Sequence, residues 1–247
     1  MDEPRKLPVI PSEIVVVDQD EPCPYLEGRI ARRPMRLPTR RLLPHELDAR
    51  LEAGDRRAGP LFYNQACPSC RACEPLRIDT ARFAPSRSQA RAWKKGRAAL
   101  TVSAGPLLVD PQRVALFDRH QTVRGLRKTD RPFTAEEYQA FLVERAVDSF
   151  ELRCWLGDEL VGVAITDRGQ HAWSAVYTFY EPELPPEHRG LSLGTFSILA
   201  QLDLARRNGV RWLYLGLAIA DNAHMRYKLA FLPHERRIDG AWRGFER

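Results

Sequence analysis

R-G-L-S-L-G-T-F-S-I-L-A-Q-L-D-L-A-R-R-N-G-V-R-W-L-Y-L-G-L-A-I, residues 189–219, gives in succession a glycine-punctuated turn, the longest periodic helix of the chain and a buried strand. Phe196, Leu199, Leu202 and Leu204–Ala205 recur near helical spacing, and Asn208–Gly209 ends the helix. Upstream, H-A-W-S-A-V-Y-T-F-Y at 171–180 reads as a strand. Before it, E-L-R-C-W-L and E-L-V-G-V-A-I-T-D read as a hairpin turned at Gly157–Asp158. Two helices come earlier still, one started by Asp110 and Pro111, the other by a Thr134/Glu137 capping box.

Helix, helix, antiparallel strands, then strand, glycine loop, helix and strand is the order of a GNAT-type acyltransferase. It predicts an α+β fold with a mainly antiparallel sheet. In that architecture the helix that follows the central strand offers free backbone amides to an anion or a terminal phosphate, which here places them at Ser192–Thr195.

The amino-terminal part has a different character. Ile14–Val17 reads as a short strand, and residues 29–41, R-I-A-R-R-P-M-R-L-P-T-R-R, as a β-edge or an anion-facing surface. Pro44 starts a helix that Gly54 stops. Leu61–Tyr63 is a strand delivering a loop in which Cys67, Cys70 and Cys73 stand at two consecutive C-x-x-C spacings. Overlapping C-x-x-C loops aim three thiolates at one point, and Cys23, in a proline-flanked loop, supplies the fourth. Cys154 lies in an apolar run and belongs to the core. Four thiolates suit tetrahedral zinc or an iron–sulfur cluster equally. A disulfide framework belongs to small secreted chains, and a chain of 247 residues with five cysteines and no signal-like amino terminus argues against one.

A formal charge of +6 favours a polyanionic partner. No apolar run approaches the roughly 20 residues of a membrane span, and the expected compartment is the cytoplasm. The charge concentrates at 83–97, F-A-P-S-R-S-Q-A-R-A-W-K-K-G-R, where Ser86 caps a helix bearing Arg87, Arg91, Lys94, Lys95 and Arg97 around Trp93. No acid occurs from Ala84 to Leu108, so no i,i+4 pair neutralises that face, and phosphate contact is the expected role. Gly105–Pro106 marks the expected boundary between an N-terminal cysteine-containing domain, 1–105, and a transferase domain, 106–247.

C-P-Y-L at 23–26, R-R-A-G at 56–59, C-P-S-C-R-A-C-E-P-L-R at 67–77, F-A-P-S-R-S-Q at 83–89, S-A-V-Y-T-F-Y at 174–180, S-L-G-T at 192–195, L-Y-L-G at 213–216 and M-R-Y-K-L-A-F-L-P at 225–233 together resemble bacterial aspartate/glutamate leucyltransferases, relatives of arginyl-tRNA–protein transferases. The resemblance implies transfer of an amino acid, with leucine the first choice, from aminoacyl-tRNA to the α-amine of a protein that begins with Asp or Glu, marking it for degradation. It implies a cysteine-bound cluster or zinc in the N-terminal module and no cofactor for the transfer itself. The chain departs from the family pattern at Leu217 and Ala218, where two aromatics are usual, and at Ala223–His224, where Cys and Lys are. Those departures bear on the donor amino acid.

An aminoacyl ester is already activated, and an α-amine of pKa roughly 7.7–8.0 is partly neutral near pH 7, so juxtaposition is the main requirement. The acceptor's acidic residue needs a cation, for which Arg77 and Lys228 are candidates. The oxyanion needs donors, for which Tyr177, Tyr214 and the backbone at Gly194–Thr195 are candidates. Two other classes share parts of this pattern: an acetyl-CoA-dependent N-acetyltransferase, for which R-G-L-S-L-G-T is a poor pyrophosphate loop, and a non-catalytic RNA-binding protein with a cysteine-bound metal.

Overall fold

Short extended segments separated by proline and glycine build the first third of the chain in the computed structural model, which describes residues 6, 7, 9–127 and 129–246. The order is β1 (Lys6–Leu7), β2 (Glu13–Val17), a small ribbon of β3 (Asp20–Pro22) and β4 (Ile30–Arg32), β5 (Met35–Pro38), helix α1 (Pro44–Glu52), β6 (Arg56–Ala58) and β7 (Leu61–Tyr63). β1, β2, β5, β7 and β6 lie side by side in that order. In the basic run 29–41, Arg29, Arg32, Arg40 and Arg41 are exposed, whereas Arg36 is buried between Glu13 and Asp55 at 3.1 and 2.6 Å, and Arg50 of α1 shares Glu13 at 3.1 Å. Desolvation still pushes both the Glu13 and Asp55 carboxyls up, against the pull of these arginines.

The rest of the chain forms one eight-stranded sheet. Its elements are β8 (Glu74–Asp79), α2 (Arg87–Ala99), β9 (Thr101–Gly105), α3 (Pro111–Val123), α4 (Ala135–Tyr138) with a π-helical turn (Gln139–Val143), β10 (Ser149–Leu156), β11 (Glu159–Arg168), β12 (Ala172–Tyr180), α5 (Leu193–Arg207), β13 (Trp212–Ala218), a 3-10 turn (Arg226–Ala230), β14 (His234–Ile238) and β15 (Ala241–Phe245). The sheet runs β15-β14-β8-β13-β12-β11-β10-β9, antiparallel at every junction except β12 with β13. The caps lie where the sequence places them: Ser86 accepts from the Gln89 amide, Asp110 from Arg113 and Thr134 from Glu137.

The change of sheet comes earlier in the chain than residue 105, the expected domain boundary. β8 is an interior strand of the second sheet and β9 its edge, so the change of sheet falls in the cysteine loop between β7 and β8. The reason is the exposed edge that β13 would otherwise present; β8 covers it over its whole length.

Three apolar clusters follow from this layering. One joins α5 and α2 to one face of the sheet through Phe196, Leu199, Leu202, Leu213 and Trp93, and it includes Cys154, as expected. Another packs α3 and α4 on the opposite face around Phe117, Tyr138 and Phe179. The third seats α1 and β7 against β12 and β13 through Leu47, Leu51, Phe62, Ala172 and Tyr214. Arg57 of β6 crosses from the first sheet to Asp167 of β11 in a buried bidentate pair at 2.6 and 2.9 Å, and Ser149 donates to the same carboxylate at 2.6 Å. Removing one member of such a pair costs about 3–5 kcal/mol.

Helices α2 and α5 approach closely because Gly96 has no side chain: a Cβ there would lie 2.2 Å from the Phe196 ring. Gly96→Ala adds about 1 kcal/mol of helix propensity but forces apart a packed aromatic, which costs about 1–3 kcal/mol. The variant is expected to unfold at a lower urea concentration than the wild type, with an unchanged slope.

Candidate active site

β12 and β13 are paired only at Ala172–Trp212, Trp173–Leu213 and Ser174–Tyr214, and then diverge. Two irregularities drive the divergence. β12 is bulged against β11 at Ile165/Thr166, and β13 is bulged against β8 between Tyr214 and Gly216, whose φ of +79° lies in the left-handed region. Residues 175–180 of one strand and 215–218 of the other are not paired with each other, and we call this divergence the cleft.

On the β12 side, Tyr180 lies against the first turn of α5: a Cβ on Gly194 would meet its ring at 3.1 Å and its hydroxyl at 3.3 Å. Ser192, the N-cap, makes no side-chain hydrogen bond to that turn, and the turn carries no acid. The Tyr180 backbone is held from below, with its carbonyl 3.0 Å and its amide 3.2 Å from His120 Nδ1 of α3, and burial pushes the His120 imidazole pKa down.

On the β13 side, the Arg56 guanidinium fills the space above Gly216, where a Cβ would fall 1.3 Å from Nη1. Arg56 Nε and Nη1 are buried without a hydrogen-bond partner among the described residues. Lys228, from the 3-10 turn, is buried and its Nζ donates to the Leu217 carbonyl at 2.7 Å. Desolvation and the nearby Arg56 charge push the Lys228 pKa well below that of an ordinary lysine. Tyr227, half exposed, lies in the field of Tyr180, Arg56, Arg124 and Tyr177 at the mouth between the two strands.

Behind Arg56 opens a cavity of about 490 Å³. Leu217 and Tyr25 are part of its wall, as are Cys23, Cys67, Cys70 and Cys73. Arg33, Arg56, Arg71 and Arg237 face it against the two acids Glu74 and Asp239, and Arg236 already holds Glu74 at 2.7 Å. All four cysteines of the expected set thus line one cavity. Burial and the neighbouring thiols Cys23, Cys67 and Cys70 push the Cys73 thiol up to about 12. Among the described residues no three potential ligands already stand at metal-binding spacing.

Three expectations need correction. Arg77 is no free cation: it is sandwiched between Trp212 and Trp242 at 4.0 and 4.1 Å, pairs with Glu235 at 2.7 Å and with Glu52, and donates to Tyr214 Oη at 3.1 Å. Tyr214 consequently faces α1 and the last hairpin. Tyr177 packs on Phe117 and Phe141 and takes a hydrogen bond from Gln121, on the α3 face of the sheet. The two tyrosines do not converge, because they project from the sheet toward different helices, whereas Tyr180 does reach the α5 turn that contains Gly194 and Thr195. Arg56 and Tyr180 were visible only as parts of R-R-A-G and V-Y-T-F-Y; nothing in their local pattern marks them.

Arg87, Arg91, Lys94, Lys95 and Arg97 are all exposed on α2, alongside α5. Lys95 reaches the loop before α5, its Nζ 2.9 Å from where a Gly190 Cβ would be. A cationic helix thus runs to the edge of the cleft.

An antiparallel meander, a helix crossing to a parallel strand that diverges from its neighbour, and uncapped helix amides at the divergence define a GNAT-type acyltransferase. Residues 21–91 match the model of the arginine-tRNA-protein transferase N terminus, and residues 112–238 that of its C terminus. The chain is 42% identical to the aspartate/glutamate leucyltransferase of Halorhodospira halophila over 91% of this chain and 94% of that one. It is 32% identical to that of Vibrio cholerae, again over 91% and 94%. Among solved structures, FemX superimposes with a TM-score of 0.48 at 9% identity, covering 81% of this chain and 67% of its own. The chain belongs to the arginine-tRNA–protein transferase family and is an aminoacyltransferase.

Arg77→Lys keeps the charge but loses the planar stacking and the forked hydrogen bonding. The variant is expected to melt several degrees lower while keeping the acceptor preference of the wild type, as measured by thermal denaturation beside a transfer assay.

Proposed function

We propose that this protein transfers leucine from leucyl-tRNA to the α-amine of proteins beginning with Asp or Glu, a modification that marks them for degradation. The observation that carries this reading is Arg56, half-buried in the wall of the arginine-rich cavity, with Nε and Nη1 buried and without a hydrogen-bond partner among the described residues. A carboxylate neutralises a guanidinium and accepts from it with two oxygens, an amide offers one uncharged carbonyl oxygen, and a methyl group offers none. Hydrogen bonds to charged groups are worth about 1.5–3 kcal/mol each, enough for selection between Asp and Asn. The names of the relatives point the same way.

In this arrangement the tRNA lies along α2, its phosphates on Arg87, Arg91, Lys94, Lys95 and Arg97. Its 3′ end turns into the cleft at the first turn of α5. The ester carbonyl then faces the α5 amides and the Tyr180 hydroxyl, donors suited to a developing oxyanion. The acceptor enters from the cavity side, its first side chain on Arg56 and its α-amine beside Tyr180. Bringing amine and ester together supplies up to about 7–11 kcal/mol of the barrier.

Cys23, Cys67, Cys70 and Cys73, which line one cavity, are the residues that would hold zinc or an iron–sulfur cluster, and four thiols suit either. Such a centre would release the protons of the thiols and tie the β3–β4 ribbon to the loop before β8, making one wall of the acceptor cavity rigid. Cys70→Ser is expected to lose the bound metal in elemental analysis and to raise KM for the acceptor more than for the tRNA.

The test is a mass-spectrometric transfer assay with a mixed pool of charged tRNAs and peptides beginning with Asp, Glu, Asn, Gln or Ala, the protein being prepared without oxygen. Addition of 113 Da, the mass of a leucyl residue, about a hundredfold faster on Asp and Glu than on Asn and Gln is the expected result. Arg56→Met is expected to bring the two rates within tenfold of each other. No addition to any peptide by the wild type overturns the reading.

A further inference from the structure

Lys228 stands out by what surrounds it. It is buried, the charged side chain whose field it feels is the cation Arg56, and no carboxylate lies within ion-pair distance of Nζ among the described residues. Its polar contacts are the Leu217 carbonyl at 2.7 Å and Met225 Sδ at 3.8 Å. The Tyr227 ring centroid is 5.9 Å away. Leu217 belongs to the part of β13 that has no β12 partner, so the amine sits at the divergence, where the two substrates meet.

The choice of residue is informative. Lysine supplies five of the 38 basic residues, and arginine serves at every buried ion pair described above. Arginine cannot be deprotonated in a protein; lysine can when desolvated. Among the described residues, the buried cationic side chain without an acid beside it is thus of the type able to hold a lone pair at neutral pH. An ammonium there would face Arg56 with no anion between them, and burial and that charge both favour the neutral amine.

We propose that Lys228 is the proton shuttle of the transfer reaction. As the acceptor nitrogen bonds to the ester carbonyl carbon, its surplus proton passes to the lone pair of Nζ. As the ester C–O bond breaks, its electron pair goes to the ribose oxygen, which takes the proton from the Lys228 ammonium. The tRNA leaves with a free hydroxyl, the amide nitrogen is neutral and the lysine returns to its starting form. The same enclosure that makes Nζ a ready acceptor makes its conjugate acid a ready donor, so one group serves both halves of the reaction. This assignment rests on the transferase reading above and gives one of its residues a chemical task in place of the carboxylate binding expected from sequence.

Two measurements test it. In protein carrying 13Cε-labelled lysine, the Lys228 resonance, identified by its loss in Lys228→Met, is expected to show the neutral form at pH 8, where the other lysines are charged; titration together with them overturns the proposal. In single-turnover transfer with leucyl-tRNA and an Asp-initiated peptide, Lys228→Met is expected to lower the rate by about 10²–10⁴, with acceptor KM changed less than threefold. Lys228→Ala is expected to be rescued by ethylamine in proportion to its free-base concentration. A folded Lys228→Met protein within threefold of the wild-type rate, or an Ala variant that amines do not rescue, overturns the shuttle. Absence of transfer by the wild type, with the lysine nevertheless neutral, would locate the failure in the proposed function.

Discussion

Three registered residue pairs between β12 and β13 are what the rest of the molecule is arranged around. Parallel strands would ordinarily continue side by side, and backbone groups left unpaired must find other partners. Here Lys228 takes the Leu217 carbonyl, Arg56 takes the space over Gly216, and Tyr180 is pressed onto the opening turn of α5. The cleft is a place where sheet hydrogen bonding has been given up and side chains of three different segments complete it.

That arrangement needs the cysteine-bearing part to be a fixed wall. The buried Arg57–Asp167 pair, and Arg77 of β8 through its pair with Glu52 of α1, attach it to the sheet. Both are costly to break and neither touches the cleft. Arg77 illustrates how a motif residue can be structural: it is buried among aromatic faces and carboxylates, and its role is to bring α1, β8, β13 and β14 together.

Much of the fold was legible in the sequence because it is encoded locally. The periodicity of α5, the caps at Ser86, Asp110 and Thr134, and the Gly157–Asp158 turn each depend on neighbours in sequence, and the structure places them as read. The same holds for the exposure of the α2 cations. What was not legible is set by tertiary contact. That E-P-L-R-I-D would enter the middle of the second sheet, that Arg36 would be buried, or that Arg56 would lie over a glycine some 160 positions away depends on where distant strands meet. Tyr177 and Tyr180 differ by three positions, but only the sheet's position between two helix layers decides which of them reaches α5.

The placement of β8 between β13 and β14 has a consequence for synthesis. A strand made early waits for partners made last, so the two parts of this enzyme do not fold one after the other as independent domains. Until residues 212–238 have cleared the ribosome, β8 exposes both hydrogen-bonding edges and Leu76 and Ile78, fully buried in the finished protein, face water. Long-range pairing of this kind folds slowly. Through most of its translation a nascent chain of this protein therefore lacks the partners of an interior strand, and a truncation that spares every residue of the cleft but removes the last hairpin would strip β8 of one neighbour.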